Sequence, residues 1–153
     1  MRKVSEDRQE VPEGAFFSVL VAECHPAILQ VVGAMFKALG CRVSSACGVR
    51  AAVNHLAQTP FNLVVSEFKM EVVNGCQLAA YVKANSPRTR VLVMTGCCQS
   101  EVAAQMRSPH VDGWIFKPFG FEELLDALEE MKLARACPRF CDAQRPGWAS
   151  QPV

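Results

Sequence analysis

Short apolar runs recur about every 25 residues along this chain, separated by stretches whose apolar residues repeat at helical period, and few folds accommodate that alternation. Residues 16–22 and 63–67 are near-continuous apolar runs suited to strands covered on both faces, and 41–46, 90–94 and the briefer 114–116 also have strand length. Ile28, Val32, Met35, Phe36 and Leu39 mark a first helix, opened by Pro26 and closed by Gly40. Val49, Val53 and Leu56 mark a second that Thr59 and Pro60 end, and Leu78 and Val82 seed a third ending by Pro87. Ser100 is a suitable N-cap for a short fourth helix that must stop by Pro109. Phe121, Leu124, Leu125 and Leu128 define a fifth, with Glu122, Glu123 and Asp126 early in it, where the helix dipole favours acids. Strands and helices in this order imply right-handed crossovers and a parallel sheet with helices on both faces. The chemistry of such a sheet lies beyond the carboxyl ends of its strands.

A chain of 153 residues fits one such domain, and half of it is apolar, enough for a core without a metal or disulfide staple. Net charge is +1 with the basic residues scattered, so there is no electrostatic footprint for nucleic acid. No apolar run reaches the roughly 18 residues of a membrane helix, and the basic start of the chain has no hydrophobic region behind it; the expected location is the cytoplasm. The eight cysteines lie mostly inside apolar segments, where reduced thiols behave as small hydrophobes. Residues 1–14 read as a flexible N-terminal arm, 15–132 as the folded body, and 133–153 as a mobile tail too short for a second domain. Trp148 in that tail is a candidate docking element.

Read at the strand ends, the chain offers Glu23 and Cys24 after strand one, Glu67 after strand three, Thr95 and Gly96 after strand four, and Lys117 and Pro118 after strand five. Each has a plain explanation alone: a solvated acid, a loop start, a turn. In register they are two acids, a hydroxyl and a lysine converging on one edge. Cys24, His25, Cys97 and Cys98 share that edge, which opens a rival reading as a thiol-based or metal sensor. Against the rival, the paired spacing of zinc ligands is missing, and the spacing of Cys137 and Cys141 is an equally weak signal.

Taken together and in order, these stretches resemble the receiver domains of two-component response regulators, over roughly residues 16–132. The resemblance rests on Val-Leu-Val-Ala-Glu-Cys at 19–24, Asn-Leu-Val-Val-Ser-Glu at 62–67 with Asn74 and Gly75, Val-Met-Thr-Gly at 93–96, and Ile-Phe-Lys-Pro-Phe at 115–119. It implies a flavodoxin-like doubly wound sheet of five parallel strands, order 2-1-3-4-5, with five helices. It also implies phosphoryl transfer from a histidine kinase onto an Asp, with Mg²⁺ held by acids after strands one and three. On that pattern Glu67 stands at the phosphoacceptor, Glu23 and Cys24 at the acid pair, Thr95 at the switch hydroxyl, Lys117 at the phosphoryl-reading lysine and Trp114 at the aromatic switch.

Two departures shape the expected mechanism. The extra methylene of Glu67 moves its carboxylate out by about 1.5 Å, enough to spoil a near-attack geometry. Cys24 replaces a hard oxygen ligand with sulfur, so Mg²⁺ binding is expected to be weak or absent, and no other cofactor is implied. Lys69 adds a cation nearby. The expectation is a pseudo-receiver, not an enzyme, in which Glu67 imitates a phosphorylated Asp, pairs with Lys117 and takes a hydrogen bond from Thr95. Trp114, too large to swing, would hold a fixed surface for a protein partner, a histidine kinase or a downstream signalling protein; oligomeric state is open. The alternatives are a functioning phosphoacceptor at Glu67 or Ser66, the latter pointing into the packing, and the sensor at Cys24, Cys97 and Cys98.

Overall fold

The computed structural model describes residues 16–144. Five parallel strands, β1 (Ser18–Ala22), β2 (Arg42–Ala46), β3 (Leu63–Glu67), β4 (Arg90–Thr95) and β5 (Gly113–Phe116), form one sheet in the order β2-β1-β3-β4-β5. The helices are α1 (Pro26–Ala38), α2 (Val49–Gln58), α3 (Gly75–Asn85), α4 (Gln99–Val102), α5 (Phe121–Glu130) and α6 (Phe140–Ala143). The doubly wound flavodoxin-like sheet and its strand order follow the sequence expectation.

Alternation along each buried strand divides the interior in two. Val19, Val21, Leu63, Val65, Leu92 and Met94 face one side, where Val32 and Phe36 of α1 and Leu124 and Leu128 of α5 close over them. Leu20, Ala22, Val64, Val91 and Val93 face the other, against Ala52 of α2 and Leu78, Ala79 and Val82 of α3. β3 lies between β1 and β4 and is buried throughout, which is why its sequence is continuously apolar up to its terminal acid. At the opposite end of the sheet Asp112 ties β4 to α3: it accepts from Lys83 Nζ and from the Val91 N–H, both at 2.8 Å, and pairs with Arg90.

Three details differ from the sequence expectation. The first strand starts at Ser18, because Phe16 is exposed and stacks under the Arg42 guanidinium at 4.7 Å. The fourth helix is one turn with Cys98 at its N-cap instead of Ser100, and no side chain caps it; a 3-10 turn at Gln105–Arg107 follows. Residues 133–144, assigned above to the tail, fold back as a 3-10 turn at Ala134–Ala136 and α6. Leu133, Cys137 and Phe140 are buried in the α1–α5 side of the core. Leu133 and Phe140 each contribute about 1.5–3 kcal/mol on burial. The remaining arm and tail positions, Trp148 included, lie outside the described residues.

Candidate functional site

The register of the sheet builds the site. β1 and β3 are adjacent with Ala22 opposite Ser66, so the next residues, Glu23 and Glu67, stand side by side on neighbouring strands, whose backbones are about 4.8 Å apart. Beyond β3 the chain turns back at once. The Gly75 N–H donates to Phe68 O at 2.7 Å, and a Cβ on Gly75 would lie 2.9 Å from Glu67 O, so only glycine permits this approach. Asn74 caps α3 there with a reciprocal pair of bonds, accepting from Gln77 N while its own N–H donates to Gln77 Oε1. Lys117 follows β5, and its N–H donates to Thr95 O at 2.8 Å, which sends its side chain back across the carboxyl edge; the Lys117–Pro118 peptide is cis.

The Lys117 ammonium sits between the two acids. It donates to Glu23 Oε2 at 2.7 Å and also to Glu67 Oε2. Glu23 Oε1 accepts from the His25 N–H at 3.1 Å, and Glu67 Oε1 from the Lys69 N–H at 3.3 Å. Glu23 is 3% exposed and Glu67 7%, so both carboxylates interact in low dielectric.

The three groups respond differently. Burial raises the Glu23 pKa, but the bonds it accepts from Lys117 and from the His25 N–H, with the charge of the Lys117 ammonium, outweigh it and leave Glu23 lowered. Burial also raises Glu67; the Glu23 carboxylate beside it adds to that, Lys117 only partly offsets it, and Glu67 stays raised. For Lys117 burial works downward and the bonds to both acids more than compensate, so the ammonium is held above its ordinary value. The site is thus one cation shared unequally, with Glu67 the carboxyl that takes up a proton first.

These residues open on a shallow depression of about 340 Å³, lined also by Lys69, Gly96, Cys97 and Glu101. Glu101, on the rim, had no strand-end position to mark it in the sequence. Thr95 is where it was expected, fully buried at the end of β4, but its Oγ1 accepts from the Cys97 N–H at 3.0 Å, and no bond joins it to Glu67. Cys24 is half-buried, and burial together with the nearby Cys47, Glu23 and Glu71 pushes its thiol pKa up. Trp114 is half-buried against Phe68, ring centroids 5.6 Å apart, and its Nε1 is buried without a hydrogen-bond partner. Ser66 is fully buried on the other face, its hydroxyl donating to Glu67 O at 3.0 Å. Among the described residues no group of three or more His, Cys, Asp or Glu is arranged to hold a metal ion.

A parallel 2-1-3-4-5 sheet with acids and a lysine at its carboxyl edge places the chain in a class that solved structures share. It superimposes on the Vibrio cholerae chemotaxis protein CheY4 with a TM-score of 0.70 at 26% identity, covering 76% of this chain and 99% of that one. It superimposes on a CheY-like receiver domain protein of Methanospirillum hungatei with a TM-score of 0.71 at 21% identity, covering 80% and 97%. The family model for the response regulator receiver domain matches residues 19–129, and the chain belongs to that family, a module of two-component signalling. Among curated relatives it is 29% identical over 127 residues to the virulence sensor protein BvgS of Bordetella bronchiseptica, covering 78% of this chain and 10% of that protein. It is also 29% identical over 122 residues to the transcriptional regulatory protein ZraR of Escherichia coli O157:H7, covering 80% and 26%. The chain thus spans a tenth to about a quarter of the length of these relatives.

Proposed function

We propose that this domain is a pseudo-receiver, a signalling module that acts by protein contact while Glu67 occupies the phosphoacceptor position without accepting a phosphoryl group. The carrying observation is the Lys117 ammonium held between Glu23 and Glu67, an arrangement that the chain's own side chains complete. The Glu67 carboxylate reaches the lysine that would otherwise read a phosphoryl oxygen. The Trp114 indole, packed on Phe68 next to it, supports a surface that stays in one state.

Mg²⁺ does not fit this donor set. The ion requires near-octahedral oxygen ligands at about 2.0–2.1 Å. Here Lys117 occupies Oε2 of both acids, and backbone N–H groups occupy both Oε1 atoms. Cys24 offers a sulfur whose proton is held more tightly than usual. No phosphoryl transfer step is therefore assigned to the domain, and it is not an enzyme on this reading. Its partners are proteins of a two-component pathway inside the cell, a histidine kinase or a component downstream of one. No helix among the described residues is long and apolar enough to cross a membrane.

The test is incubation with acetyl phosphate and Mg²⁺ followed by intact-mass analysis. The wild type should gain no phosphoryl group, and the double variant Glu67→Asp with Cys24→Asp should gain one. A phosphoryl group mapped to Glu67 of the wild type would refute the proposal. Loss of captured partner protein on Glu67→Ala, with unchanged folding, is the corresponding positive result.

A further inference from the structure

We propose that Cys41 and Cys137 form a disulfide-forming dithiol, a redox modification site that latches residues 133–143 to the corner between α1 and β2. The two segments run past each other in opposite directions. The Arg139 N–H donates to Leu39 O at 2.9 Å, and a Cβ on Gly40 would lie 3.2 Å from Pro138 Cβ. Residue 39 therefore faces 139, residue 40 faces 138, and the next pair in the same register is Cys41 with Cys137. Contacts on both flanking positions bring the two cysteine-bearing backbones to one corner, as a disulfide, with Cα atoms about 4.4–6.8 Å apart, requires. Both side chains are buried in the same core cluster, close enough for each thiol to shift the pKa of the other.

The thiols are not equivalent. The neighbouring Cys41 thiol holds the Cys137 pKa below the ordinary thiol value, while Cys41 is pushed far up by Cys137 and by burial. The attacking sulfur is accordingly Cys137, and Cys41 resolves.

The oxidant is a low-molecular-weight disulfide, of the class of oxidised glutathione. When the segment behind α5 lifts, the Cys137 thiolate attacks one sulfur of the small disulfide; its S–S bond breaks and one small thiolate leaves. Closure brings Cys41 onto the mixed disulfide, where its sulfur bonds to Cys137 and the second small thiol departs with the Cys41 proton. The protein loses two hydrogens, and two molecules of small thiol are formed. The bond closes a loop of about 95 residues, in the range where cross-linking restrains the opened state most.

The test uses the full chain equilibrated with oxidised glutathione in about 1 M urea, so that the segment opens, followed by alkylation and peptide mapping without reductant. A Cys41–Cys137 linked peptide is expected, absent from Cys41→Ala and from Cys137→Ala. Because either variant can loosen the core, a second readout uses the wild type alone. Tryptic cleavage after Arg135 and Arg139 should slow by at least about tenfold on oxidation and recover with dithiothreitol. Glutathione adducts confined to the other cysteines with no linked peptide, or equal cleavage of oxidised and reduced protein, would overturn the proposal.

Discussion

Replacing Lys117 by Met keeps most of the apolar stem and removes the charge that two buried carboxylates share. Breaking a buried ion pair from one side costs about 3–5 kcal/mol, chiefly because the remaining charge stays buried without a partner. Glu67 already has a raised pKa and can take up a proton, so the lower end, about 3 kcal/mol near pH 7, is the expected loss. For a folded body of this size that corresponds to about 10 °C in Tm. The pH dependence is diagnostic. Without the ammonium, burial and mutual repulsion both act upward, and both folded pKa values lie above the ordinary carboxylate value. The folded variant then binds more protons than its unfolded chain, and its stability rises as pH falls. In the wild type the two acids oppose each other: the raised Glu67 adds stability as pH falls, and the lowered Glu23 loses it. The deficit measured by urea unfolding should therefore shrink from about pH 7 to about pH 5, with the denaturant slope unchanged. A deficit that is constant or grows over that range would refute the shared-cation account of the site.

The unequal sharing separates the two acids: Glu23→Gln should cost about 1–3 kcal/mol by urea melts, whereas Glu67→Gln should stay within about 1 kcal/mol of wild type, since it fixes the form that burial already favours. Gly75→Ala should destabilise by about 1–3 kcal/mol, because its Cβ meets Glu67 O at 2.9 Å and backbone must move. The same melt, repeated on the Lys117→Met background, should show a smaller Gly75→Ala cost if the shift acts through the acid–lysine arrangement. Asp112→Ala removes the acceptor for Lys83, Arg90 and the Val91 N–H at the far end of the sheet and should cost about 1–2 kcal/mol, independently of substitutions at Lys117 in a double-mutant cycle.

The fold was legible because a fully buried parallel strand must be apolar on both faces, and β1, β3 and β4 advertise that directly. The convergence of Glu23, Glu67 and Lys117 was legible for the same reason, since Glu67 ends β3 and Glu23 and Lys117 each follow a strand end directly. What Glu23 does there was not: its type fits a metal ligand and a lysine partner equally, and only the register beside Glu67 settles on the lysine. Thr95 was assigned outward, toward Glu67, although a hydroxyl at a strand end can instead accept from the N–H two residues on, as it does from Cys97. Residues 133, 137 and 140 do carry apolar side chains at helical spacing, but the turn-forming and charged residues among them concealed the stripe.

The folding-back of the C-terminal segment also sets the order in which the molecule can be finished. Phe140 and Leu133 pack in the cluster that contains Val19, Val21 and Leu39, so β1 and α6 complete the same side of the core. During synthesis the earlier strands emerge and pair while that side still faces solvent. Closure of that side of the core waits on α6 to leave the ribosome, and until then the α1–β2 corner is the surface on which a chaperone would find exposed apolar side chains.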